Sequence, residues 1–429
     1  MPAATPGTPS VLRAMNDRAA LELLLTHGPL SRTRIGHLTG LSKPTASQLL
    51  ARLEAAGLVV ATGTDGGRPG PNAQLYSLNA RAAHVGGLDV TPDRVLAAVA
   101  DLTGEVVGGF ELPYTEGADA VGQVTRALGG ALADAGLTLP DLHRLVIATP
   151  GAFDPRTGRL RYASHLPGWH SPTLLDELAA ALPLPVEYEN DVNLAAVAEQ
   201  RLGAARGHED FVLLWNEEGL GAALVLGGRL HRGWTGGAGE VGFLPVPGHP
   251  LVRQVTRANT GGYQELAGVQ VLPALAAAAG IGTGTGAGAF PGSGLGSGLG
   301  SGLGSGLGSG PVPDAPPAAQ VAAGAELLRL AAAEPEGARL AFLRSYATAL
   351  ATGLASLIAV LDPEIVVLSG ALITAGGDPL RTLLEDELAE LAPSRPRLVT
   401  GEVRERPVLR GALESALAAT REEVFDTSR

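Results

Sequence analysis

Cysteine is missing from the whole 429-residue sequence. That excludes disulfides and any zinc held by cysteine, and it fits a cytoplasmic setting. No run of about eighteen apolar residues occurs, so no membrane span is expected. The opening Met1-Pro2-Ala3-Ala4-Thr5 lacks the basic start and apolar stretch of a secretory signal. Lysine is nearly missing too, with Lys43 the single one. What is present is ample apolar material, 45 % of residues, in a chain too long for one ordinary core. Two or three domains are expected.

Charge is placed unevenly. Residues 1–82 hold eight Lys and Arg against four Asp and Glu, a net of +4, whereas the whole chain carries −12. The remainder is therefore −16. A basic head on an acidic body points to nucleic-acid binding by the head alone.

The head reads as helices and a wing. Asp17 to Thr26 carries Ala20, Leu21, Leu23, Leu24 and Leu25 and stops at Gly28-Pro29. Ser31 can cap a second helix, Arg32 to Thr39, and Gly40 makes the turn. Ser42 can cap a third, with Pro44 early enough that its missing N–H does no harm. Helix, glycine turn, helix is the geometry of a helix-turn-helix. Its candidate DNA contacts are Arg32, Ser42, Lys43, Thr45, Ser47, Gln48 and Arg52, which can reach phosphates and base edges. Leu58 to Thr62 and Gln74 to Leu78 flank a Gly-rich tip. Arg68 on that tip suits a minor groove. A small helical protein-interaction domain is the other reading of the same pattern.

A second stretch stands out at 185–199. Leu184, Val186 and Tyr188 alternate as a strand that runs into an Ala-rich helical pattern. Glu189, Asn190, Asp191 and Asn193 fall at the handover, where open α/β sheets bind ligands. Asp191 or Asn193 alone reads better as a helix cap. Four hydroxyl-binding side chains together read as a ligand site.

With these residues in place, the chain resembles the ROK family of repressors and sugar kinases. Gly66-Gly67-Arg68-Pro69 and Leu75-Tyr76-Ser77-Leu78-Asn79 look like the wing of its repressors. Gly86-Gly87-Leu88-Asp89 through Gly104 is similar to the first hairpin of the actin/hexokinase-like fold. The resemblance implies an Asp-x-Gly-x-Thr phosphate loop in kinases. Here Asp89 is kept, but Thr91, Pro92 and Asp93 follow. Thr91 adds a side chain, Pro92 deletes a donor, and Asp93 brings like charge toward a polyphosphate. Glu217-Glu218 before Gly219 is a second acidic mismatch.

The resemblance also implies a sugar site. Gly151, His165, Asn190, Asp191, Glu240 and Glu265 match its positions, with Asp191 at the place of the kinase base. His165 stands where an Asn is common. Phe243 replaces a histidine that binds sugar and zinc, and Tyr263 replaces a zinc cysteine. No metal and no cofactor is therefore expected, with apolar packing around Phe243 and Tyr263 in place of zinc. From Gly280 to Pro316, with a Ser-Gly-Leu-Gly repeat from Ser293 to Gly310, the chain reads as a disordered linker inserted into this domain.

The expected fold is α/β: a winged helix-turn-helix at 1–82, then an actin/hexokinase-like (RNase H-like) two-lobed domain at 83–429. The expected function is a DNA-binding transcriptional regulator, a repressor, that senses a sugar. Its partners would be double-stranded operator DNA, a sugar effector and a second copy in a homodimer or homotetramer. An ATP-dependent sugar kinase is the alternative, and a regulator answering to a partner protein instead of a sugar is a third.

Overall fold

The computed structural model describes residues 9–65, 73–113, 119–154, 157, 159–161, 166, 169, 171, 173–252, 261–281 and 317–427. Two compact units emerge. One holds Met1–Arg206, Gly233–Gly237 and Val403–Arg429, the other Gly207–Arg232 and Ala238–Glu402.

The head opens the first unit. Its helices are α1 (Pro9–His27), α2 (Arg32–Thr39) and α3 (Lys43–Ala55). α1 starts well before Asp17, where the sequence pattern becomes apolar. Ser31 accepts the Arg34 N–H and Ser42 accepts that of Thr45, so both expected caps form. Gly40 ends α2 with φ 72°, a left-handed turn that a Cβ would strain. Ala20, Leu21, Leu24, Ile35, Leu49, Leu50 and Leu53 close on one core. Strands Val59–Asp65 and Ala73–Leu78 pair antiparallel, and Leu30–Ser31 lies along the outer edge of the second. The tip between them, with Gly66-Gly67-Arg68-Pro69, lies outside the described residues. The head's core also takes in Leu102 and Phe425, from far along the chain. Residue 82 ends the wing, and the head continues into the same compact unit.

The rest of this unit is built on a mixed sheet. Its strand order is Val186–Asn190, Leu142–Thr149, His84–Val90, Arg94–Asp101, Val106–Pro113. The first three run parallel and the last two antiparallel. Alternation along a strand sends successive side chains to opposite faces. A Cβ on Gly86 would meet Leu128 of the Ala120–Asp134 helix at 3.4 Å, while one on Gly87 would meet Leu413 of the Pro407–Val424 helix at 3.1 Å. The two glycines thus let helices press on both faces of the central strand. The Pro407–Val424 helix also packs along the Asp191–Leu202 helix, closest where Gly411 lies under the Leu194 carbonyl.

The second unit repeats the plan. Its sheet runs Arg229–Leu230, Leu220–Leu226, Phe211–Asn216, Ile365–Ser369, Arg397–Thr400. Helices Pro317–Ala333, Gly337–Leu361 and Ala371–Leu391 cover it. Gly337–Leu361 is long and apolar enough to cross a membrane. Phe342, Leu343, Tyr346, Leu350, Leu354 and Ile358 are nevertheless fully buried in this unit's core. The helix is apolar because it is central to that core.

Candidate DNA interface and effector site

α3 buries Ala46, Leu49, Leu50 and Leu53 and leaves Lys43, Thr45 and Gln48 exposed. The buried residues recur at helical spacing, so the polar ones are turned outward by the same periodicity. Ser42 and Thr45 share a hydroxyl contact of 2.8 Å beside the cap. Ser47 donates to the Lys43 carbonyl at 2.9 Å and accepts from Arg32 at 3.1 Å, joining α2 to α3. Arg52 is turned onto Asp17 of α1, 2.6 Å away. The first turn of α3 is thus an outward polar surface, and Arg52, itself exposed, is paired with Asp17. Arg68 lies outside the described residues.

Asp17 went unnoticed in the sequence, yet it carries a signal. It precedes Ala20, Leu21 and Leu24 at i+3, i+4 and i+7, on the buried face of α1. An ionised carboxylate there needs a partner. It has Arg52 on one oxygen and the Thr427 hydroxyl on the other, at 3.1 Å.

In the same unit, the strand-to-helix handover forms as expected. Val186–Asn190 pairs with Leu142–Thr149, placing Asn190 beside Thr149 at the carboxyl edge of the sheet. Asp89 lies in that edge too, across from Ala148. Asn190 caps the following helix by accepting the Asn193 N–H at 3.1 Å. Its amide donates to the Gly151 carbonyl at 3.2 Å. Gly151 itself has φ 85°, a turn that suits glycine. Glu189, buried, accepts from the Asn193 side chain at 2.9 Å and from the Asn190 backbone at 3.0 Å. Asp191 opens the helix and accepts the Val192 N–H at 2.8 Å. Glu189 and Asn193 therefore hold Asn190 from behind, and Asn190 and Asp191 remain partly exposed. His165 lies outside the described residues.

The loop after Asp89 closes on itself. The Thr91 hydroxyl donates to the Arg94 carbonyl at 3.0 Å and accepts the Arg94 N–H at 3.2 Å, and the Thr91 N–H bonds the same carbonyl. Asp93 is exposed at the tip. Burial lifts the Asp89 carboxyl to about 6, against the pull of Arg94.

The second unit holds Glu240 and Glu265. Burial pushes Glu240 up to about 7. Glu265 accepts the Gly261 N–H at 2.8 Å, within the helix start Gly262–Ala267. Tyr263 is fully buried, its ring over Gly353 and its hydroxyl donating to the Leu350 carbonyl. Its backbone N–H bonds Leu244, next to Phe243. Among the described residues no group of three or more His, Cys, Asp or Glu is placed to hold a metal.

Comparison with known proteins agrees with this architecture. The ROK family model matches residues 85–268, and the MarR family model matches 16–68. A xylose repressor of Caldicellulosiruptor bescii is 28 % identical over 244 residues, 56 % of this chain and 61 % of that protein. The chain thus spans under two thirds of the length of this curated relative. A solved ROK family transcriptional regulator, a homologue of the E. coli MLC protein, shares the fold over 97 % of both chains, with TM-score 0.67 and 19 % identity. A ROK hexokinase of Thermus thermophilus matches over 79 % of this chain and 99 % of its own, with TM-score 0.59 and 26 % identity. The hexokinase match stops short of the coverage that the regulator reaches. Residues 85–268 thus resemble the ROK family, and the head at 16–68 resembles the MarR family.

Proposed function

We propose that this chain is a transcriptional regulator that represses by binding operator DNA and senses a sugar or sugar derivative. The observation that carries it is α3, a helix buried on one face with Lys43, Thr45 and Gln48 exposed on the other. Phosphate contacts from Lys43 and the head's arginines give affinity, and Thr45 and Gln48 read base edges. A homodimer or homotetramer would present two such helices to a palindromic site spaced by whole helical turns. Likeness to a xylose repressor supports the regulatory reading.

The sugar would be taken by Gly151, His165, Asn190 and Asp191 of the first unit. Asp191 serves as a hydroxyl acceptor. Sugar kinase activity is the competing reading, favoured by Asp191 opening a helix and by the hexokinase likeness. Against it, Thr91 spends its hydroxyl and N–H on Arg94, Pro92 offers no N–H, and Asp93 adds negative charge at the tip. A phosphate would find few donors there.

The test has two arms. Fluorescence anisotropy with DNA from upstream of the gene should show a specific complex at moderate salt, and none with folded protein would sink the proposal. A thermal-shift screen over mono- and disaccharides should find a stabiliser, since a ligand at about 100 times its Kd adds about 2.7 kcal/mol. That shift should vanish in Asp191→Ala. ADP formation dependent on a hexose and lost in Asp191→Asn would establish the kinase instead.

A further inference from the structure

The Pro407–Val424 helix links the two ends of the first unit. At its start, Gly411 lies against the Asp191–Leu202 helix, so closely that a Cβ would be 1.8 Å from the Leu194 oxygen. Further on, Arg421 donates to the Leu102 carbonyl at 3.0 Å. Glu423 is held by Arg144 of the sheet. Phe425 then enters the core of the head beside Leu102 and the buried leucines of α1 and α3. The last polar contact is Thr427, whose hydroxyl donates to Asp17. Asp17 is 3 % exposed and holds Arg52 of α3 with its other oxygen.

One buried carboxylate therefore has two dependants from opposite ends of the sequence. Arg52 belongs to the helix that carries the exposed DNA-reading surface. Thr427 follows the helix that packs along the one opening on Asn190 and Asp191. We propose that Asp17 is a positioning residue for operator reading: through it, Thr427 sets the seating of α3 by way of Arg52. This rests on the regulator reading above. A staple serving the head alone would need only Asp17 and Arg52. The Thr427 contact, made from outside the head, is what ties that staple to the rest of the unit. Contiguous packing of this kind is the physical means by which one site biases another.

The experiment uses the full chain and asks about Thr427, which is not among the candidate DNA contacts. Thr427→Val removes the hydroxyl and keeps the shape, and Thr427→Ser keeps the hydroxyl. Hydrogen exchange read by mass spectrometry should speed up over residues 43–55 in Thr427→Val and stay at the wild-type rate in Thr427→Ser. Binding to the upstream fragment should weaken about tenfold in Thr427→Val, the loss of one hydrogen bond to a charged group, while binding to a random duplex stays the same. Asp17→Asn should weaken it as well, and adding Thr427→Val to Asp17→Asn should cost nothing further. Unchanged exchange over 43–55 in Thr427→Val overturns the proposal, as do effects of the two substitutions that simply multiply. If the wild-type chain binds no specific fragment, the regulator reading fails, and the exchange result still decides whether Thr427 seats α3.

Discussion

At the scale of single residues, titration separates what burial does from what partners do. Glu240 is lifted from 4.5 to about 7 by burial, so the folded chain keeps a proton that the unfolded chain has released. Stability must then fall as pH rises between those values, and remain lower above them. Asp89, lifted to about 6, adds a slope of the same sign. Glu240→Gln should remove its own share: melting temperatures of mutant and wild type should agree near about pH 4 and separate in the mutant's favour near about pH 8. Equal separation at both would mean that folding leaves the Glu240 carboxyl at its ordinary value. Asn190 and Asp191 were legible because polar residues interrupt an apolar alternation where a strand becomes a helix. Asp17 was not, although its spacing marked the buried face. Its partners lie 35 and 410 residues away, and no local pattern encodes such distances.

Among elements, close approach is the feature that small residues make possible. The Pro407–Val424 and Asp191–Leu202 helices meet backbone to backbone at Gly411 and Leu194. Gly411→Ala places a methyl where only a shift of the whole helix could make room. Overpacking of this sort costs about 1–3 kcal/mol or more, and chemical denaturation should show a loss at the upper end or beyond. A variant as stable as wild type would mean that the two helices slide freely. The head's helices were readable because Ser31, Gly40 and Ser42 punctuate them. Ala371 to Leu391 forms one helix, bent where Gly377 adopts φ 54°. Gly377 and Pro379 break local helical geometry, while Leu372, Ile373, Leu380 and Leu384 keep both arms on one core. The Pro317–Ala333 helix escaped notice because it directly follows the Gly-rich insert, and its alanines carry little amphipathic signal. Most of the insert itself, 282–316, lies outside the described residues.

For the molecule as a whole, charge asymmetry and the two-sheet plan were both foreseeable, and the boundary between compact units was not. Composition marks where the wing ends, but it says nothing of Phe425 entering the head's core. A segment that returns from the far end of the chain erases a boundary drawn from local signals. The scarcity of lysine has a consequence of its own. Lys43 is exposed, opens α3, and is the only side-chain amine in 429 residues. An amine-directed acetylating reagent can therefore modify one side chain only, and that side chain sits on the surface proposed to meet phosphate. Mass spectrometry should find Lys43 acetylated in the free chain and shielded when operator duplex is added. Acetylation should in turn weaken DNA binding, since it deletes a cation from the first turn of the reading helix. Labelling that ignores the duplex would place the nucleic acid elsewhere. The same chemistry makes the molecule its own single-site footprinting probe, with no residue needing to be engineered.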